Sequence, residues 1–211
     1  MKIESIDNKK IEQAIQNFET EVDFEFIPVI TPKSSYVEHI KWILSLLILI
    51  LFLGFIEVWF YDSWESKTWF YFAAPFVAII LGSLLDKSDL VDRFCISKAE
   101  RSRQVLEKAQ RVFFLKRLDQ VKSNNSLLLF ISKMERQIVL LPDPRINRMT
   151  EAELHDLTNE LLKVLQSQFK SAEFEKGILD AIELLKKRLK PRFPRSIPAE
   201  NDVANRLIWI D

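Results

Sequence analysis

Two histidines, one cysteine and three glycines narrow the chemistry open to this chain of 211 residues. His39 and His155 are far apart and lack metal-ligand spacing, so each reads as a surface or capping residue. Cys95 has no partner for an internal disulfide and fits a reducing compartment as a structural thiol. No Ser or Cys stands in a nucleophile motif. Gly54, Gly82 and Gly177 fall in or near helical patterns. No glycine loop is left to bring backbone N–H groups onto a phosphate, as a Walker loop or a dinucleotide turn requires. Glu151, Glu153 and Asp156 read as partners of a helix dipole. Thirty Lys/Arg balance thirty Asp/Glu, which excludes a general nucleic-acid binder. No metal, cofactor or nucleic acid is expected.

The excess in this composition is apolar and confined to two runs. Trp42–Ile56 and Thr68–Leu85 carry no charge over fifteen and eighteen residues. A bilayer core takes about 20 apolar residues at a rise of about 1.5 Å each. The first run reaches that length if Lys41 snorkels at one end and Val58–Tyr61 sits in the interface at the other. Trp42, Trp59, Trp64 and Trp69 cluster at the ends of the runs, as in an interfacial aromatic belt. Two core helices would need covering mass that the rest of the chain lacks. A signal peptide does not fit, because the run starts about forty residues in, behind an acidic amphipathic segment. The link "EVWFYDSWESK" can only turn the chain back, giving a transmembrane hairpin with both ends on one side. The turn holds Lys67 alone. The other side holds Lys33, Lys41, Lys87, Arg93, Lys98, Arg101 and Arg103, so the bulk of the protein is expected in the cytoplasm. Ala74, Ala78 and Gly82 form a small-residue face for close helix approach, either to the first span or to another copy. Pro75 is expected to kink the second span near one end.

The remaining elements read as one interrupted α/β domain. Ile11, Ile15, Phe18 and Val22 share a helical face, with Asp7 as a cap. Phe24–Ile30 follows as a strand in which Pro28 signals an edge or a bulge. A long helix is predicted from Ser97 to about Val121, with Val105, Ala109, Val112, Phe113, Leu115 and Leu118 as its buried face. Its remaining surface is basic and could meet anionic head groups. Leu127–Ile131 and Gln137–Leu141 flank a polar turn at Lys133–Arg136, which predicts a β-hairpin. The first of these strands is apolar enough to be buried on both faces. Thr150 and Glu153 form a capping box. The helix behind them carries Leu154, Leu157, Leu161, Leu165 and Phe169. A second helix carries Phe174, Ile178, Ile182, Leu185 and Leu189. "KKRLKPRFPRSIP" reads as a tail or linker, and "NRLIWID" as an added strand or a docking peptide.

The order helix, strand, helix, β-hairpin, helix, helix, with "AIQNFETEVDFEFIPVI", "SNNSLLLFISKMERQIVLLPD" and "FEKGILDAIELLKKRL", resembles the TPM domain family. It is most similar to the bacterial membrane-embedded branch, in which a transmembrane hairpin follows the first strand. The resemblance implies a small α/β sandwich with a mixed sheet. The first strand would pair parallel to the strand at Leu127, the strand at Gln137 would return antiparallel, and a two-helix transmembrane hairpin would interrupt the domain. The segments are then 1–36 for the first helix and strand, 37–86 for the hairpin, 87–190 for the rest of the domain and 191–211 for a tail.

Some soluble relatives are similar to acid phosphatases or bind calcium, through Asp-Asn-Gly at the start of the buried strand and glycines after the β-hairpin. Here those places hold Asn124-Asn125-Ser126 and Asp143-Pro144-Arg145. Asn124, Asn125, Asp143 and Arg145 are therefore the candidate pocket rim, with one carboxylate where calcium wants several oxygens. The leading expectation is a non-enzymatic scaffold or accessory factor at the bacterial inner membrane. Its partners would be the bilayer and a membrane protein or further copies of itself. The alternatives are a membrane-bound phosphohydrolase acting near Asp143 and an anionic-lipid contact module using the basic helix and "KKRLKPR".

Overall fold

β1 (Glu25–Thr31) and β2 (Ser126–Ser132) run parallel, in register from Glu25 opposite Ser126 to Thr31 opposite Ser132. β3 (Gln137–Pro142) returns antiparallel on β2, and β4 (Ile208–Trp209) adds in parallel to β1 at Val29 and Ile30. The sheet order is β3-β2-β1-β4. The computed structural model describes residues 8–35, 38–59, 61, 64–85, 91, 95–121, 125–145, 149–166, 169, 174–195 and 206–210. Asp7 lies outside them.

Every residue of β1 and β2 is buried, because the sheet is covered on both faces. Strand residues alternate between faces with a period of two. Phe26, Ile30, Leu127, Leu129, Ile131, Ile138 and Leu140 point to one core. There they meet α1 (Asn8–Glu21), α5 (Glu151–Gln166) and α6 (Phe174–Leu189). Ile27, Val29, Leu128 and Phe130 point to the other core, covered by α4 (Lys98–Leu115) through Val105, Ala109, Val112 and Phe113. The predicted faces of α1, α5 and α6 are the ones buried. Thr150 and Glu153 make the capping box, with Thr150 N–H donating to Glu153 at 2.9 Å and Glu153 N–H to Thr150 Oγ1 at 3.3 Å.

Four expectations are refined. The long helix stops at Leu115, short of Val121, because Arg117 adopts a left-handed backbone (φ 54°) and the chain re-enters as a 3₁₀ turn at Leu118–Gln120. Leu118 is buried after that turn, whereas Leu115 is exposed. Pro28 is not on an outer strand, yet its position keeps the edge logic. Ile30 C=O accepts from Ile210 N–H on the β4 side, and alternation turns Pro28 toward that same side. β4 pairs only at Val29 and Ile30, so Pro28 deprives no ladder of a donor.

The start of the expected tail packs against the domain. Asp23 N–H donates to Phe193 C=O at 2.9 Å, and Phe24 and Phe193 meet edge to face at 5.1 Å. Its cations are paired as well: Lys190 with Glu21, Arg192 with Glu153 and Arg195 with the buried Glu25. "NRLIWID" supplies β4, with Leu207 and Trp209 on one core and Ile208 and Ile210 on the other.

The chain divides into two compact units, Met1–Ser34 with Ser102–Asp211, and Ser35–Arg101. The second is built on α2 (Glu38–Trp59) and α3 (Trp64–Leu85). Their seam is narrow: Ile40, Ser45, Ile56, Ala74 and Ala78 are buried, while most large apolar side chains face outward. In an 18-residue apolar window of each stretch, His39–Trp59 and Lys67–Leu85, only 11% and 17% of residues are buried. Core helices would be mostly covered. Both helices are long and apolar enough to cross a membrane.

Candidate functional site

The described rim residues, Asn125, Asp143 and Arg145, lie at the amino ends of β1 and β2. Asp143 follows β3 directly, and its N–H donates to Ser126 C=O at 2.8 Å, which sets it beside the start of β2. Asn125 precedes β2: its C=O accepts from Glu25 N–H at 2.8 Å, and its side-chain amide donates to Asp23 at 3.0 Å. Arg145 folds back on Asp143, donating through its backbone N–H at 2.9 Å, Nε at 2.9 Å and Nη2 at 2.5 Å. Asn125, Asp143 and Arg145 are thus brought together, and Asn124 lies outside the described residues.

Burial pushes the Asp143 carboxyl up, but its bonds to Arg145 outweigh this and hold it below the usual aspartate range. Arg145 is raised in turn, chiefly by the bond to Asp143, with Asp119 adding a smaller share. The Asp143 side chain has no exposure while that of Arg145 is 43% exposed. A forked charge pair of this kind fixes both partners in place. Asp143 has given its oxygens to Arg145, which uses its Nε and Nη2 edge for the pair and keeps its remaining N–H donors toward solvent. Calcium, which takes six to eight oxygens, does not fit a rim whose carboxylate already faces a guanidinium. Among the described residues no cluster of three or more His, Cys, Asp or Glu is arranged to hold a metal.

A second polar cluster fills the carboxyl ends of β1 and β2, and sequence reasoning missed it. Glu135 is buried, accepting from Ser34 N–H at 2.9 Å and from the Ser132 hydroxyl. Ser34 and Ser132 hydroxyls lie 2.7 Å apart. Lys108 on α4 donates to Thr31 Oγ1 at 2.9 Å and Lys33 C=O at 2.7 Å. Also unforeseen was Glu19, buried on α1, which accepts from Phe26 N–H at 2.9 Å on the side of β1 that β4 leaves uncovered. A shallow groove of ≈ 310 Å³ between α5 and α6 is edged by the Glu153–Arg192 and Glu160–Arg188 pairs and shares no residue with the rim.

In the hairpin, Ala74, Ala78 and Gly82 are all buried, and α3 is packed against α2. A Cβ at Gly82 would stand 2.1 Å from Ser45 Oγ and 3.1 Å from Ser45 Cα, so the close crossing there needs glycine. The small-residue face is thus used within the chain. Lys67 donates to Glu57 at 2.9 Å, and the Tyr71 hydroxyl donates to the same carboxylate, tying the helices beside the turn. Trp42, Trp59 and Trp69 are exposed, and the Lys41 ammonium lies 5.6 Å from the Trp42 ring centroid. Trp64 opens α3; its side chain lies outside the described residues.

A mixed four-stranded sheet, with three helices on one face and one on the other, defines a small three-layer α/β domain. The TPM domain family model matches residues 92–188, so the chain carries a TPM domain. α1 and β1 precede the matched stretch, yet β1 pairs with β2 along its whole length and α1 shares the core of α5 and α6. The chain is also similar to the NMR structure of BA42 protein from the psychrophilic bacterium Bizionia argentinensis sp. nov., at 17% identity and a TM-score of 0.54, covering 99% of this chain and 94% of that one. At that identity the likeness is one of fold. No curated protein matches this chain.

Proposed function

We propose that the chain is a multi-pass protein of the bacterial inner membrane, with its TPM domain on the cytoplasmic side, acting as a non-enzymatic scaffold or accessory factor for another membrane protein. The observation that carries this reading is the exposed apolar surface of α2 and α3, which water cannot cover at low cost and a bilayer can. The cytoplasmic side follows from the excess of Lys and Arg on the side of the hairpin ends. The non-enzymatic role is supported by the Asp143–Arg145 pair, in which the buried carboxylate of Asp143 is bound by a cation of its own chain.

Extraction in mild detergent followed by pull-down tests the scaffold. A stable complex with a membrane protein, or with further copies, is expected, and recovery of free monomer alone would sink the idea. A thiol introduced at Ser63 should react with an impermeant reagent from outside the cell, and Cys95 only after lysis. The opposite pattern inverts the topology. Metal-dependent turnover of a generic phosphoester by the purified chain, lost in Asp143→Asn, would replace the scaffold with a phosphohydrolase.

A further inference from the structure

We propose that the last turn of α4, where Phe114 and Leu115 stand among Arg111, Lys116 and Arg117, docks on the anionic headgroup surface of the bilayer. The inference rests on the membrane reading above and adds a second, peripheral contact by the soluble domain.

α4 buries one face, through Val105, Ala109, Val112 and Phe113. Phe114 and Leu115 turn away from it and are 58% and 73% exposed. Leu106 lies two turns before Phe114 on the same stripe and is also exposed. Single exposed apolar residues are normal on soluble proteins. Here the ring of Phe114 meets the buried Phe113 edge to face, at 5.8 Å and 78°, so this exposed aromatic rests on the edge of the core. Arg111, Lys116 and Arg117 are exposed around it, and among the described residues no ion pair engages them. An aromatic and a leucine ringed by cations is the composition of a helix seated at a charged membrane interface.

Charge decides between occupants. An apolar peptide would satisfy Phe114 and Leu115 and leave three cations idle, whereas an anionic leaflet satisfies both. The other basic stretch of the chain is largely paired. Of its five cations at 186–192, Lys186, Arg188, Lys190 and Arg192 pair with Glu21 and Glu183, Glu160, Glu21 and Glu153. Among the described residues Lys187 is exposed without an ion pair, whereas all three cations at the tip of α4 stand without one. A bilayer that holds the hairpin also stays at high effective concentration for the rest of the chain, so a patch too weak to recruit a free protein suffices.

The test uses the full chain in nanodiscs, with Cys95→Ser as background and an environment-sensitive label on Gln110→Cys, between Leu106 and Phe114. The same label on Leu47→Cys reports the hairpin. Nitroxide lipids should quench the Leu47→Cys label in phosphatidylcholine discs and in discs containing phosphatidylglycerol. They should quench the Gln110→Cys label only in the latter. Each cation near an anionic leaflet multiplies the docked-to-undocked ratio about fivefold, so Arg111→Gln, Lys116→Gln and Arg117→Gln together should lower it on the order of 100-fold. Raising salt from about 0.1 M to 1 M, where the Debye length shrinks from about 10 Å to 3 Å, should reduce quenching in the same direction. If the Leu47→Cys label is quenched and the Gln110→Cys label is not, or is quenched equally in neutral discs, the docking is wrong while the anchor stands. If neither label is quenched, the anchor fails and the docking with it. Shielding of the Gln110→Cys label that rises with protein concentration in detergent makes the face a contact between copies and overturns the lipid assignment.

Discussion

The two ends of the parallel pair β1–β2 are both polar, but they are polar in different ways. At the carboxyl ends, Glu135 is sealed among Ser34, Ser132 and the backbone, with Lys108 closing over Thr31 and Lys33. At the amino ends, Asp143 is sealed but its partner Arg145 reaches solvent. Ligands of open α/β sheets usually gather beyond the carboxyl ends of the strands. Here that end is filled where the chain leaves β1 for the hairpin. Its hydroxyls and carboxylate satisfy backbone and one another, so they read as fastening. The amino end holds the buried Glu25–Arg195 pair and the Asn125–Asp23 bond as well, and its surface-facing pair, Asp143–Arg145, is the part that solvent conditions can alter.

The sharpest break of this contrast is Glu135→Ala. It removes the acceptor for the Ser34 N–H and the Ser132 hydroxyl together and should cost about 3 kcal/mol of domain stability. Glu135→Gln keeps an acceptor oxygen and should recover more than half of that. Denaturant unfolding of the detergent-solubilised chain measures both. Equal losses for the two variants would mean that charge, not the bonds, holds this end. Asp143→Ala should cost less, about 1–2 kcal/mol, because water can take over the exposed side of Arg145.

Acid should separate the ends further. The pKa of Asp143 is lowered in the folded chain, so its contribution is present above the unfolded value of about 4 and is lost as pH falls through the lower folded value. Unfolding curves at pH 5 and pH 3 should therefore converge for the wild type and Asp143→Asn at the lower pH. A gap that stays constant removes the pair from the acid response.

The unequal legibility of the two ends has a physical cause. Periodicity displayed α1, α5, α6 and both strands of the β-hairpin, because each buries a face that repeats at its own period. The capping box at Thr150 and Glu153 was readable because its partners are three residues apart. Ser34 and Ser132 are 98 residues apart and meet only through the parallel register of β1 on β2. Nothing local in either segment announces that meeting. For the same reason Lys186–Arg195 read as a basic tail: Glu21, which holds Lys190, is 169 residues away. The rim was reached through family resemblance, and what resemblance left out was that Arg145 would close on Asp143.

The mildest prediction concerns two arginines, one near each end, that hold left-handed backbones: Arg136 at φ 53° in the turn after β2, and Arg117 at φ 54° after α4. A non-glycine residue in this region costs about 1–2 kcal/mol, and glycine returns part of that through the larger freedom of its unfolded chain. Arg136→Gly should thus raise stability by about 0.5 kcal/mol, and Arg117→Gly by a similar amount. Arg117 N–H donates to Phe114 C=O at 3.0 Å and Gln120 N–H to Arg117 C=O at 2.9 Å, bonds that glycine preserves. Equal gains at both positions would show that the strain is purely local backbone. A gain at Arg136 with a loss at Arg117 would show instead that the amino end draws support from the Arg117 side chain, and the contrast between a sealed end and an open one would need that side chain added to it.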